Sequence, residues 1–181
     1  MKYVIAFLIA LIFLSVRATG IPEPKKYNFE ISYIDGKGGL TVPLVITTIY
    51  GYGKNYINDG KELSETIKDY KEPSKFKSYP KIYEAIKNDK RFVGVKLSVK
   101  IFPTKLKDTF EVEIEFYHSE NFGFIEEKDT LIPVITEYKI KTVQMLSLNK
   151  PKDLKGLKKI LVNKDLKENR EIPFKVVLFE R

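Results

Sequence analysis

Val95-Lys96-Leu97-Ser98-Val99-Lys100-Ile101 and, after a turn over Pro103–Asp108, Phe110-Glu111-Val112-Glu113-Ile114-Glu115-Phe116 decide the fold. Apolar and polar residues alternate strictly in both runs, the period of a half-buried strand. Folded antiparallel with Ile101 opposite Phe110, every apolar residue meets another. The polar face then sets Lys100 against Glu111 and Lys96 against Glu115. Such charge pairs contribute only about 0.2–1 kcal/mol each. The apolar stripe supplies more, at roughly 25 cal/mol per Å² buried. The charges serve mainly to fix register, because a slip of one residue would bury the glutamates.

The same alternation extends in both directions from this hairpin. Tyr27, Phe29, Ile31 and Tyr33 share one face of a strand, and Asn28, Glu30 and Ser32 the other. Asp35–Gly39 reads as a turn that tolerates positive φ. Leu40–Tyr50, rich in Val, Ile and Thr, returns as a second strand, with Pro43 marking an edge position or a bulge. Gly51-Tyr52-Gly53 breaks that strand. Asp59-Gly60-Lys61-Glu62 resembles a capping box, with Leu63, Ile67 and Tyr70 at helical spacing behind it, so a short helix is expected there, with a strand as the alternative. Glu72–Pro80 reads as a loop. A helix follows over Pro80–Asn88, capped by Ser78 and presenting Ile82, Tyr83 and Ile86 on one face. Ile132–Leu148 is a long extended segment with Tyr138, Ile140 and Thr142 on one side. Leu154–Val162 fits either state: Leu154, Leu157, Ile160 and Leu161 have helical spacing, whereas Gly156 weakens a helix. Ile172–Phe179 closes the chain as a strand. The expected class is mainly β: an antiparallel sheet or sandwich of hairpins with one or two short helices.

The first twenty residues carry a different message. Lys2 precedes the uncharged apolar run Tyr3–Leu14, and Ala18 and Gly20 follow in an A-x-G arrangement, the order of a secretory leader. The run is too short to span a bilayer, which takes roughly 20 residues, and no later run approaches that length, so no transmembrane helix is expected. The expected organisation is a signal peptide over residues 1–20 and a single β-rich domain over residues 21–181. The absence of cysteine rules out a lipid-anchored leader cysteine and disulfides. The chain is expected in the periplasm, associated with the outer membrane, or secreted.

The net charge is +8, and lysine supplies the excess, since Arg17, Arg91, Arg170 and Arg181 are the only arginines. Nucleic-acid readers favour arginine forks, and the only compact set of aromatics beside a basic residue is Tyr50, Tyr52 and Tyr56 near Lys54, so no nucleic-acid partner is expected. The lysines alternate with glutamates and read as a solubilising surface. Lys150–Lys167 is the densest basic segment and the best candidate for an anion-binding face.

No residue set builds catalytic chemistry. His118 is the single histidine, so neither a zinc site nor a Ser-His-Asp set has the residues it needs, and it reads as an ordinary strand-end residue. Gly51-Tyr52-Gly53-Lys54 lacks the earlier glycine and the following Ser or Thr of a phosphate loop. Glu111, Glu113 and Glu115 could hold Ca²⁺ or serve glycoside chemistry, but the solvated face of a half-buried strand explains them. Glu126, Glu127 and Asp129 read as a loop. No catalytic, metal or cofactor-binding residue is assigned, and the chain is expected not to be an enzyme.

One family pattern is present in outline. Val93-Gly94-Val95-Lys96-Leu97-Ser98-Val99, the alternating Phe110–Phe116 strand, Glu137–Val143, Gly156-Leu157 and Ile172-Pro173-Phe174 with Leu178-Phe179 follow one another over residues 45 to 180. In this order they resemble the C-terminal core of bacterial secretins, the outer-membrane pore subunits of type II and type III secretion and of type IV pili. The family's double glycine is reduced here to Gly156, its Leu-Gly after Ile-Pro is missing, and its N-terminal periplasmic domains are absent. The resemblance therefore implies a short secretin-like protein rather than a complete pore subunit. It implies an envelope protein that pairs strands with itself or with a secretion or pilus assembly. The alternative expectation is a soluble periplasmic or secreted β-sandwich that binds an anionic ligand.

Overall fold

The computed structural model describes residues 23–35, 38–66, 79–163 and 165–181. The leader residues 1–20, the turn residues Gly36 and Lys37, and the Ile67 and Tyr70 positions of the expected first helix lie outside these. Eight strands run in chain order: β1 (Lys25–Asp35), β2 (Gly38–Ile49), β3 (Tyr52–Glu62), β4 (Phe92–Pro103), β5 (Thr109–Glu127), β6 (Thr130–Ser147), β7 (Lys152–Val162) and β8 (Asp165–Glu180). Each pairs antiparallel with the next, and β8 returns to β1, from Tyr27↔Glu180 to Tyr33↔Phe174, so the sheet closes into a barrel. Two short helices, α1 (Leu63–Thr66) and α2 (Tyr79–Ile86), follow β3. The chain is thus mainly β, an antiparallel sheet of hairpins curled on itself.

Alternation decides what faces inward. Phe29, Ile31, Leu44, Ile46, Val99, Ile114, Phe174 and Val176 fill the barrel and are all but sealed from solvent. Aromatic rings meet inside it, Phe116 edge-on to Phe174 and Tyr27 edge-on to Phe110. Lysines and glutamates occupy the outward positions of β4, β5 and β6. That polarity is the inverse of a barrel that spans a membrane, which turns apolar side chains outward. Among the described residues no helix is long and apolar enough to cross a bilayer.

The central hairpin forms, but in a register two residues from the expected one. Ile101 pairs with Val112 and Pro103 with Phe110, so Lys100 meets Glu113 (Nζ–Oε2 2.5 Å) and Lys96 lies opposite Tyr117. A shift by two preserves which face each residue shows, so alternation cannot choose between the registers. The turn chooses. Thr104 Oγ1 donates to the Thr109 carbonyl (2.7 Å) and accepts from the Leu106 amide, and Asp108 takes a left-handed φ of 52°.

Other expectations are corrected. Asp59–Glu62 is the end of β3, paired along β4 up to Glu62↔Phe92. The expected short helix starts behind it as α1 at Leu63, with the Glu62 amide donating to Glu65 Oε2 (3.1 Å) rather than Asp59 capping it. Leu154–Val162 is strand: Gly156 faces the barrel interior and lies against the Phe174 ring, a contact that needs the absence of a side chain. His118 is not at a strand end. It lies well within β5, which runs on to Glu127, so Glu126 and Glu127 are strand residues too. The expected helix over Pro80–Asn88 is present as α2 and ends at Ile86; the expected cap Ser78 lies outside the described residues, and Ala85 rather than the exposed Tyr83 completes the packed face. Its Ile82, Ala85 and Ile86 pack with Leu63, Ile135 and Leu161 into a small second core outside the barrel.

The barrel has two incomplete seams. β2 and β3 pair only at Thr48↔Gly53 and Ile49↔Tyr52. β6 pairs with β7 from Val134↔Val162 to Lys139↔Leu157.

Candidate functional site: an outer groove and a polar barrel end

The outer face of the sheet is hollowed across its strands. The hollow is about 690 Å³ and runs from β3 to β7. Register builds its two walls. Tyr56 lies opposite Ser98, Ser98 opposite Glu115 and Glu115 opposite Lys141, with Lys155 of β7 completing the row. Asn58, Lys96, Tyr117, Lys139 and Leu157 form the second row in the same way. The backbone of Leu97, Phe116 and Gly156 forms the floor, their side positions facing the core.

Four lysines and one glutamate therefore line one groove. Lys141 is paired with Glu115, Lys139 with Glu137 (2.9 Å) and Lys155 with Glu171 (3.3 Å). Lys96 Nζ lies over the Phe92 ring at 4.0 Å. The Lys141 and Lys155 side chains are 82% and 80% exposed, so these pairs are worth little and exchange readily for another anion. The Lys141 hydrogen bond and charge hold the Glu115 carboxyl below its usual range. Burial pushes the Tyr117 hydroxyl up to about 12, and it stays protonated to donate to Glu137 at 3.0 Å. Tyr56, 69% exposed, stands free at the β3 end.

A second polar set closes one end of the barrel interior. Asp35, at the end of β1, is nearly buried. It accepts from Lys158 of β7, from Arg170 Nη2 of β8 (2.8 Å) and from the Tyr138 hydroxyl of β6 (3.1 Å). Burial alone would push the Asp35 carboxyl up. The Lys158 hydrogen bond and charge, the Tyr138 hydroxyl and Arg170 outweigh it and hold the carboxyl below the usual value. Beside this set the Tyr33 hydroxyl lies 2.6 Å from His118 Nδ1, and the Tyr33 and Tyr138 rings stack at 4.2 Å. Burial lowers the His118 pKa, only partly opposed by Glu120, and it raises that of Tyr33. Tyr33 therefore keeps its proton and donates it to the neutral ring. The arrangement ties five strands together, β1 and β5 to β8.

These findings redistribute the residues that stand out in the sequence. Glu113 and Glu115 are on the outer face and ion-paired, and Glu111 is exposed beside them. Tyr50, Tyr52 and Tyr56 are exposed, but only Tyr56 reaches the groove. The basic segment Lys150–Lys167 is not one face: in β7 Lys155 points outward while Lys158 points into the barrel. Sequence reasoning missed Asp35, Tyr138 and Lys158 as a set. Alternation alone could have flagged Lys158, which shares the parity of Leu154. It missed the groove because its walls are set by register. Among the described residues no three His, Asp or Glu side chains gather as a metal site. No protein-family model, curated protein or solved structure matches this chain.

Proposed function

We propose that this chain is an exported, non-enzymatic binding protein that holds an anionic partner in the groove across the outer face of β3–β7. The carrying observation is the pair of side-chain rows that places Lys96, Lys139, Lys141 and Lys155 around one hollow. A cleft with an excess of one sign of charge, here four lysines against Glu115, raises the local concentration of a counter-charged partner. The non-enzymatic part rests on the state of the titratable groups. His118 is occupied by Tyr33, and the outer carboxylates Glu113 and Glu115 are taken up in ion pairs. Export rests on the leader-like first twenty residues.

The test is fluorescence anisotropy of labelled anionic polymers (polyglutamate, heparin, single-stranded DNA) at about 50 and about 200 mM salt. Binding of at least one probe that weakens with salt is expected. Failure of every probe to bind at low salt refutes the reading.

One observation favours a second reading, the envelope assembly that the secretin-like pattern implies. The hairpin Val93–Phe116 and the strand Ile172–Phe179 are both flanked by neighbours inside the barrel, but β2 is joined to β3 at only two residue pairs. Strand pairing with another chain would therefore use β2. Cell fractionation separates the readings: a heat-sensitive multimer in the membrane fraction supports assembly, and a soluble monomer supports the binding protein.

A further inference from the structure

We infer that the occupant of the groove is an extended acidic polypeptide, laid across the strands with its acidic cluster at the β6–β7 end and an apolar side chain at the β3 end. This rests on the anionic-partner reading and names the partner's class and its direction.

The groove is not uniformly basic. Three of its four lysines, Lys139, Lys141 and Lys155, belong to β6 and β7. The opposite end is uncharged and carries the exposed Tyr56 ring beside Asn58. Strands lie about 4.8 Å apart, so β3 to β7 spans roughly 19 Å and β3 to β6 roughly 14 Å. An extended chain advances about 3.3 Å per residue, so about six residues fill the groove, with about four separating the apolar residue from the acidic cluster. Ser98 on β4 lies between the two ends, and with Asn58 at the β3 end it offers donors and acceptors to a peptide backbone.

The same composition disfavours nucleic acid. Glu115 stands midway along one wall, where an unbroken row of phosphates would meet it, and none of the cations is an arginine. A polypeptide can leave that position uncharged. Its carboxylates would take over Lys141 and Lys155 from Glu115 and Glu171, an exchange between exposed pairs that costs little.

The experiment uses the exported chain and labelled peptides with a phenylalanine about four residues ahead of a glutamate triplet. The comparison probes are the same peptide with alanine for phenylalanine, one with phenylalanine next to the triplet, and single-stranded DNA of equal charge. The spaced peptide is expected to bind about three- to tenfold tighter than either peptide control, and tighter than DNA. The triple variant K139Q/K141Q/K155Q is expected to weaken it at least about tenfold, each lysine contributing a charge-assisted contact. Tyr56→Ala is expected to erase only the phenylalanine advantage. All four positions are outward-facing, and an unchanged thermal melt confirms that each variant folds. Tighter binding of DNA than of any peptide overturns the inference and leaves the anionic-partner reading standing. Peptide binding indifferent to the lysine variant overturns the groove as the site. No binding of any probe overturns both.

Discussion

At the residue scale, Asp35 is the most consequential side chain in the molecule. It is nearly buried and is satisfied only because β6, β7 and β8 each deliver a partner. Removing its charge leaves Lys158, itself 6% exposed at the side chain, without its ion-pair partner. Asp35→Asn is therefore expected to cost about 3–5 kcal/mol at neutral pH, measured by urea unfolding. The folded-state pKa of Asp35 is depressed, so its stabilisation is present above the unfolded value near 3.8 and is lost as pH falls from there through the folded value. The gap between wild type and Asp35→Asn should accordingly narrow below about pH 4, and a gap independent of pH would exclude this account. His118 titrates in a different window. Its folded pKa is lowered by burial, with Glu120 beside it and Tyr33 and Tyr138 facing it, so the unfolded chain takes up the proton first. Stability should fall as pH drops below about 6.5, by no more than about 1.4 kcal/mol per pH unit. His118→Asn keeps an acceptor for Tyr33 and should remove that component of the slope in parallel pH titrations of the two proteins.

At the element scale, Gly156 shows why a strand can hide in a helical spacing. An added Cβ there would press into the Phe174 ring and stand 2.8 Å from the Lys139 carbonyl oxygen. Gly156→Ala should destabilise by about 1–3 kcal/mol through overpacking, read as a lower urea midpoint with an unchanged slope. The same residue misleads sequence reasoning, because a glycine with leucines around it weakens a helix without saying that the alternative is a strand. Elements with strict alternation, such as Tyr27–Tyr33 and Val95–Phe116, are legible in the sequence because period two encodes a face. Register is not, because Lys100–Glu113 and Lys100–Glu111 satisfy alternation equally and only the Thr104–Asp108 turn separates them. β3 is illegible for a further reason. Its glycines, asparagines and aspartate are poor strand formers, and pairing with β4 overrides their preference. The groove follows from all three limits at once: its walls take one β3 residue in each row and depend on the register of β4 to β7.

At the scale of the whole molecule, closing the barrel removes most strand edges, and what remains lies at the β6–β7 seam beyond Lys139↔Leu157 and, with only two residue pairs formed, at the β2–β3 seam. The β2–β3 seam is chemically unusual. Gly38–Gly53 holds no charged residue, and Val45, Ile49, Tyr50 and Tyr52 are exposed along it. An exposed uncharged edge invites pairing with other chains. Asn55 Nδ2 donates to the Val45 carbonyl at 2.6 Å, which places the Val45 backbone groups on the β3 side. Backbone groups of alternate residues point to the same side of an antiparallel strand, so Pro43 faces the seam as well and brings no N–H to it. A strand laid along β2 would leave an acceptor unpaired opposite Pro43, at a cost of about 1–3 kcal/mol if that acceptor is buried. The proline accordingly blunts the seam while its ring stays in the exposed outer face. Pro43→Thr restores the donor with a residue that suits a strand and should leave the melting transition intact. Sedimentation velocity should then show a concentration-dependent dimer that wild type does not form at the same concentration, together with protection of the Thr41 and Val45 amides from exchange. A variant that stays monomeric across the concentration series, with those amides unprotected, would show that the β2 edge is not available to a second chain and would remove the structural support for assembly through strand pairing.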